Sequence, residues 1–230
     1  MPIQMRLNPM NVIDHPKGLY RYIVDHDMGF APNPFFGVCT LACCKPKIRK
    51  KAQLGDIVVG YGSKKGGNRG QIVYWMEVAR ITDFQSYWED PAFQIKRPRF
   101  GTSLTLTYGD NIYHKCPTSG VWIQEKSFHS DPNSLLGLGN LRRDTKRTQN
   151  VLVGHEFAYW GGSGPIPPAR FKLLMKDRVR EVHKIEDRQL ADDFINWLTN
   201  RPERGYVSEP AMWSRDKRLK SFSAVGVGAC

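Results

Sequence analysis

The stretch from Asp25 to Lys51 constrains the fold most, because it sets polar and charged residues among Gly, Pro and aromatic ones in a pattern that suits neither helix nor strand. Between Met28 and Cys39 the apolar residues neither alternate nor recur near 3.6 residues. Pro32, Pro34 and Pro46 fix φ and remove backbone donors, so much of the stretch is expected to be a shaped loop. Binding and catalytic groups concentrate on such loops when a rigid scaffold holds them. Asp25, Asp27, Phe30, Asn33, Thr40, Lys45 and Arg49 are the side chains it can turn toward a polar ligand. The plainer reading is a Pro-rich surface loop between two strands.

The flanking chain supplies that scaffold. Residues 19–24 read as a strand that delivers Asp25 and Asp27 at its end, and residues 48–53 as a short helix beginning beyond Pro46. Residues 57–61 and 71–79 form a hairpin whose long loop, 62–70, is rich in Gly and cations. Next come an aromatic and acidic turn over 86–93, strands over 102–108 and from 112, a basic loop over 141–148 and a strand over 150–154. Asp187 caps a helix that carries Leu190, Phe194, Trp197 and Leu198 on one face, a lid for the sheet. With 21 Gly, 15 Pro and 26 aromatic residues (11 Phe, 9 Tyr, 6 Trp), a strand-and-loop α+β protein is favoured over a helical bundle. Residues 1–213 are expected to form one compact domain, and 214–230 a basic tail.

A net charge of +12 and a pI near 9.6 point to a polyanionic partner, most simply nucleic acid or nucleotide. No apolar run approaches the roughly 20 residues that cross a bilayer, and the first residues lack the apolar core of a secretion signal. A cytoplasmic protein without a membrane partner is expected. Its five cysteines should then be reduced thiols. Cys39, Cys43 and Cys44 with His114 and Cys116 lack the Cys-x2-Cys knuckle of a zinc site, so no metal is assigned, and nothing identifies a cofactor. Cys44 has the basic neighbours Lys45, Lys47 and Arg49 that favour a thiolate, unless it is simply packed.

Asp25 and Asp27 would share a face of a regular strand, and if their carboxylates converge they suit acid/base work or a divalent ion; they are the candidate catalytic pair. Arg49 suits a two-bond contact with phosphate and Lys45 a single one. Asp110 and Asn111 can read a base edge or simply close a turn. His26, His114 and His155 have no Ser or Cys at a recognisable spacing and read as structural. The loop 62–70 lacks a Walker arrangement.

Two resemblances add to this. Residues 55–63, 72–78 and 87–91 resemble the sheet of PUA-like modules, particularly EVE and YTH relatives, which hold a modified base in an aromatic pocket on a small barrel. That resemblance implies a mixed, mainly antiparallel β-barrel with peripheral helices, and Tyr61 and Trp75 as stacking groups. A longer ordered set of blocks, residues 20–34, 39–49, 55–56, 109–113, 151–153 and 157–161, resembles the second nucleotide modification associated domain family. It implies a link to phage and bacterial systems that modify nucleic-acid bases, and no particular reaction. The resulting expectation is a nucleic-acid or nucleotide-binding domain that recognises or processes a modified base. The alternatives are an enzyme acting on a free nucleotide or base, and a basic protein-interaction module.

Overall fold

Six consecutive buried residues form the first strand, β1 (Leu19–Val24), in a computed structural model that describes residues 17–130, 138–175, 183–184 and 187–213. Continuous burial marks a strand covered on both faces. It is followed by β2 (Cys39–Leu41), α1 (Pro46–Lys51), β3 (Ile57–Gly62), β4 (Ile72–Glu77), β5 (Arg80–Asp83), α2 (Phe84–Glu89) and α3 (Leu104–Thr107). The rest comprises β6 (Tyr113–Lys115), β7 (Trp122–Gln124), α4 (Leu138–Thr145), β8 (Asn150–Gly154), β9 (Phe157–Tyr159), β10 (His183–Lys184), α5 (Arg188–Thr199) and β11 (Gly205–Tyr206).

The strands make a six-stranded sheet in the order β10-β1-β3-β4-β9-β11, a three-stranded sheet β2-β8-β5 and the pair β6-β7. Strands β1 and β3 run parallel, because β2 and α1 cross over between them, and β3 turns back antiparallel into β4. Alternation then sorts the side chains. Leu19, Ile57, Val59, Tyr61 and Trp75 pack under Phe194 and Leu198 of α5, whereas Tyr22, Val58, Tyr74 and Met76 pack against Leu41, Ile48 and Leu152. The large sheet thus lies between α5 and a layer made of α1 and the small sheet. Phe30, Phe84, Tyr108 and Tyr113 cluster with Val151 and Val153 on the small sheet's other face.

The expected strands over 19–24, 57–61, 71–79 and 150–154 are present, and Asp187 caps α5 by accepting from the Leu190 N–H at 3.0 Å. Three expectations need correction. Residues 102–108 hold the helix α3, because the Ser103 hydroxyl caps the Leu106 N–H and overrides the strand-like alternation of Thr and Leu. Asp83 and Asp90 likewise cap α2 and a 3-10 turn (Pro91–Lys96) in place of the expected turn. Of the expected basic loop 141–148, residues 141–145, with Arg142 and Arg143, lie on α4. Among the described residues no sheet closes on itself, so the α+β class and mainly antiparallel pairing hold but the PUA-like barrel does not appear. The tail 214–230 lies outside the described residues.

Candidate functional site

Beyond Val24 the main chain leaves the large sheet, and the turn before α1 meets it again from the far side of the 25–38 loop. Cys44 and Lys45 both adopt left-handed backbone there, with φ of 60° and 42°. Non-Gly residues occupy this region at a steric cost, so the surroundings must hold it. Arg49, one turn further on, does so: its Nε donates to the Cys44 carbonyl at 2.8 Å. Its Nη2 donates to the Asp144 carbonyl at 2.7 Å and its Nη1 to that of Asn150 at 2.8 Å. A fully buried guanidinium thereby ties the turn to the end of α4.

Between the end of β1, this turn and α4 opens a cleft of about 920 Å³. Lys45, Lys47, Arg142, Arg143, Lys146 and Arg147 line it, against the single carboxylate of Asp25. Tyr22, Phe30 and Phe128 supply aromatic wall, Phe128 being the one left partly exposed.

At its deep end three groups stand in line. Cys44 Sγ lies 3.3 Å from His129 Nε2, and His129 Nδ1 lies 3.4 Å from Asp144 Oδ2. The imidazole is fixed by the Phe30 ring at 4.5 Å, and its backbone by bonds from Asn140 Nδ2 to the His129 carbonyl and from the His129 N–H to Ser127 Oγ. Asp144 also accepts from Tyr113 Oη at 3.1 Å and from Arg143 Nε and Nη2 at 3.0 and 3.1 Å. Arg143 Nη2 sits 3.5 Å from both Cys44 Sγ and His129 Nε2.

The charges follow from this geometry. Burial alone would lower the His129 pKa, but its bonds to Asp144 and Cys44 outweigh it and raise the value above 6.5. Burial would raise Asp144, yet the bonds from His129 and Arg143 hold it well below the usual carboxylate range. His129 Nδ1 faces Asp144 Oδ2 and Tyr113 Oη, each at 3.4 Å, and Nε2 faces the thiol. Cys43, by contrast, is fully buried and its thiol is pushed far up by desolvation.

Cys43, His129 and Asp144 also offer atoms within 4.8 Å of one another, close enough for an ion. An ion there would displace the bonds that Asp144 accepts from Arg143 and Tyr113 and the contact from Cys43 Sγ to the Asp110 carbonyl.

Of the residues marked from sequence, the structure brings Asp25, Phe30 and Lys45 to the cleft. Asp27 is instead buried, accepting from the Tyr159 hydroxyl and, at 2.9 Å, from the Ala211 N–H, so it fastens the chain after β11. Arg49 faces inward. Asn33, Thr40, Asp110 and Asn111 belong to a buried network: Asp110 accepts from Thr40 Oγ1 at 2.7 Å and Tyr87 Oη at 2.8 Å. In the same network Lys96 Nζ donates to Asn33 Oδ1 at 2.7 Å, and Asn111 Nδ2 donates to the Tyr87 carbonyl at 2.9 Å. Desolvation lowers Lys96 to about 8. Tyr61 and Trp75 lie in the core beneath α5.

His129, Asp144, Arg143 and Phe128 are site residues that the sequence alone does not single out. The basic run 142–147 was the only local signal, and nothing local links Cys44 to a histidine 85 residues away. Cys39, Cys43 and Cys44 are free thiols, as expected. No helix among the described residues is long and apolar enough to cross a membrane.

Fold and site together define a mixed α+β protein whose cationic cleft ends in an aligned thiol, imidazole and carboxylate. The chain belongs to the nucleotide modification associated domain 2 family, whose model matches residues 16–217. No curated protein and no solved structure matches it significantly.

Proposed function

We propose that the cleft binds the phosphates of a nucleotide, free or within a nucleic acid, in a phage or bacterial pathway that modifies bases. The observation that carries this reading is the lining itself, six cations against one carboxylate around a partly exposed Phe128. Clustered cations suit phosphate oxygens, and an aromatic ring suits the flat face of any base, modified or plain. Membership of a nucleotide modification associated family supports the same ligand. Arg142 and Arg147 are the outer cations, since Arg143 is committed to Asp144.

Binding should be measured by fluorescence anisotropy with a labelled single-stranded oligonucleotide and by calorimetry with a mononucleotide, so that the two sources of phosphate are separated. About three phosphate contacts would weaken oligonucleotide binding roughly 20-fold between about 50 and 200 mM salt. Arg142→Ala with Arg147→Ala should reduce both affinity and salt slope. Salt-independent binding, or binding unchanged in the double variant, would remove the cleft from consideration.

A further inference from the structure

We propose that Cys44 is a catalytic nucleophile, with His129 as its proton acceptor and Asp144 positioning the imidazole, and that the cleft transfers acyl groups from amides or esters borne by a nucleotide. The nucleotide half of this rests on the binding reading above; the thiol half does not.

The arrangement Cys44 Sγ, His129 Nε2, Nδ1 and Asp144 Oδ2, at 3.3 and 3.4 Å, is that of a nucleophile, a base and an orienting acid. Cys44 differs from its neighbours in the way a reacting group must. Cys39 and Cys43 are fully buried, Cys43 donating its S–H to the Asp110 carbonyl, whereas Cys44 is partly exposed on the cleft wall. Its left-handed backbone presents the sulfur to the cleft, and Arg49 holds that turn in register with Asp144. Arg143 Nη2, 3.5 Å from the sulfur, supplies positive charge where a thiolate forms.

An imidazole that takes a proton from sulfur and returns it to a leaving group is what acyl transfer needs. The Cys44 S–H proton moves to His129 Nε2, and the resulting imidazolium is held by Asp144. The thiolate attacks the acyl carbon, and collapse of the tetrahedral adduct breaks the bond to the amine or alcohol, which leaves with the proton from Nε2. Water, deprotonated by the same nitrogen, then hydrolyses the thioester and restores the thiol. The sum is one amide or ester and one water giving an acid and an amine or alcohol.

The full chain incubated with p-nitrophenyl acetate, a probe without phosphate, tests the thiol independently of nucleotide binding. Intact-mass and peptide spectrometry should find one acetyl group on Cys44, formed at least about 100-fold faster than on a free thiol, and none in Cys44→Ser. His129→Gln should slow acylation by about 10²–10⁴-fold. Asp144→Asn should alter its pH profile as well as its rate, which a merely structural loss would not. Because Asp144 is buried and its variant can fail to fold, Cys44→Ser and His129→Gln decide the matter. Acylation at the rate of a free thiol, labelling elsewhere, or indifference to His129→Gln would overturn the proposal. Stoichiometric zinc bound by wild type and lost in His129→Gln would overturn it as well.

Discussion

Arg49 offers the sharpest quantitative test, because its residue type suits phosphate while its guanidinium points into the protein. Arg49→Met keeps the aliphatic stem and deletes donors to the carbonyls of Cys44, Asn150 and Asp144 at 2.8, 2.8 and 2.7 Å. Hydrogen bonds from a charged group contribute about 1.5–3 kcal/mol each, or about 5–9 for three. Removing the guanidinium also removes its desolvation cost, several kcal/mol, and Asp144 keeps its bonds to Arg143 and Tyr113. The net loss should be about 3–5 kcal/mol. With a urea m-value of about 2 kcal/mol/M, the denaturation midpoint should fall by about 2 M. Arg49→Lys, which reaches fewer carbonyls, should lose about 2 kcal/mol and, while still folded, acylate Cys44 more slowly. Neither variant should change the salt slope of nucleotide binding. A loss below about 1 kcal/mol at unchanged m would refute the assignment of Arg49 as the tie between α1 and α4.

Other consequences are equally direct. His129 is raised above 6.5, so its contribution to stability is full below about pH 6.5 and is lost as pH rises through the folded value. Asp144 is lowered below 3.8, so its contribution is present above about pH 3.8 and lost on acidification. Urea titrations should therefore show stability falling as pH rises above about 6.5, and His129→Gln should flatten that decline; equal slopes would contradict the pairing. Asp27→Asn should cost about 1–3 kcal/mol and expose the chain after β11 to limited proteolysis, with Cys44 acylation unchanged in the folded fraction. Acylation lost in a folded Asp27→Asn would return Asp27 to the chemistry. Phe128→Ala should weaken nucleotide binding by about 1–3 kcal/mol in calorimetry, and wild-type affinity would remove Phe128 as a base platform.

The parts of the fold legible in the sequence are those whose environment is written locally. β1, β3 and β8 are apolar runs bounded by turn residues, and α5 carries both its cap, Asp187, and its apolar face. Where local signals conflict, the cap prevails, as Ser103 does over the alternating Thr and Leu of α3. A polar residue in a Gly- and Pro-rich loop does not announce which way it points. Asn33, Thr40 and Asp110 share the composition of a ligand site and serve a buried network around Lys96. Lys45 and Asp25, from the same stretch, do reach the cleft. The thiol, imidazole and carboxylate come from the turn before α1, the loop after β7 and the end of α4. Only the tertiary fold brings them together, and no spacing rule predicts that.

The most direct test joins the cleft to its thiol: the rate at which iodoacetamide alkylates Cys44, followed by peptide mass spectrometry, with and without a saturating mononucleotide. Phosphates held by the cations of α4 and the turn before α1 would sit beside the sulfur. Fast alkylation confined to Cys44 is expected, suppressed by nucleotide in wild type and not in Arg142→Ala with Arg147→Ala. Alkylation of Cys44 at an unchanged rate in the presence of bound nucleotide would contradict it.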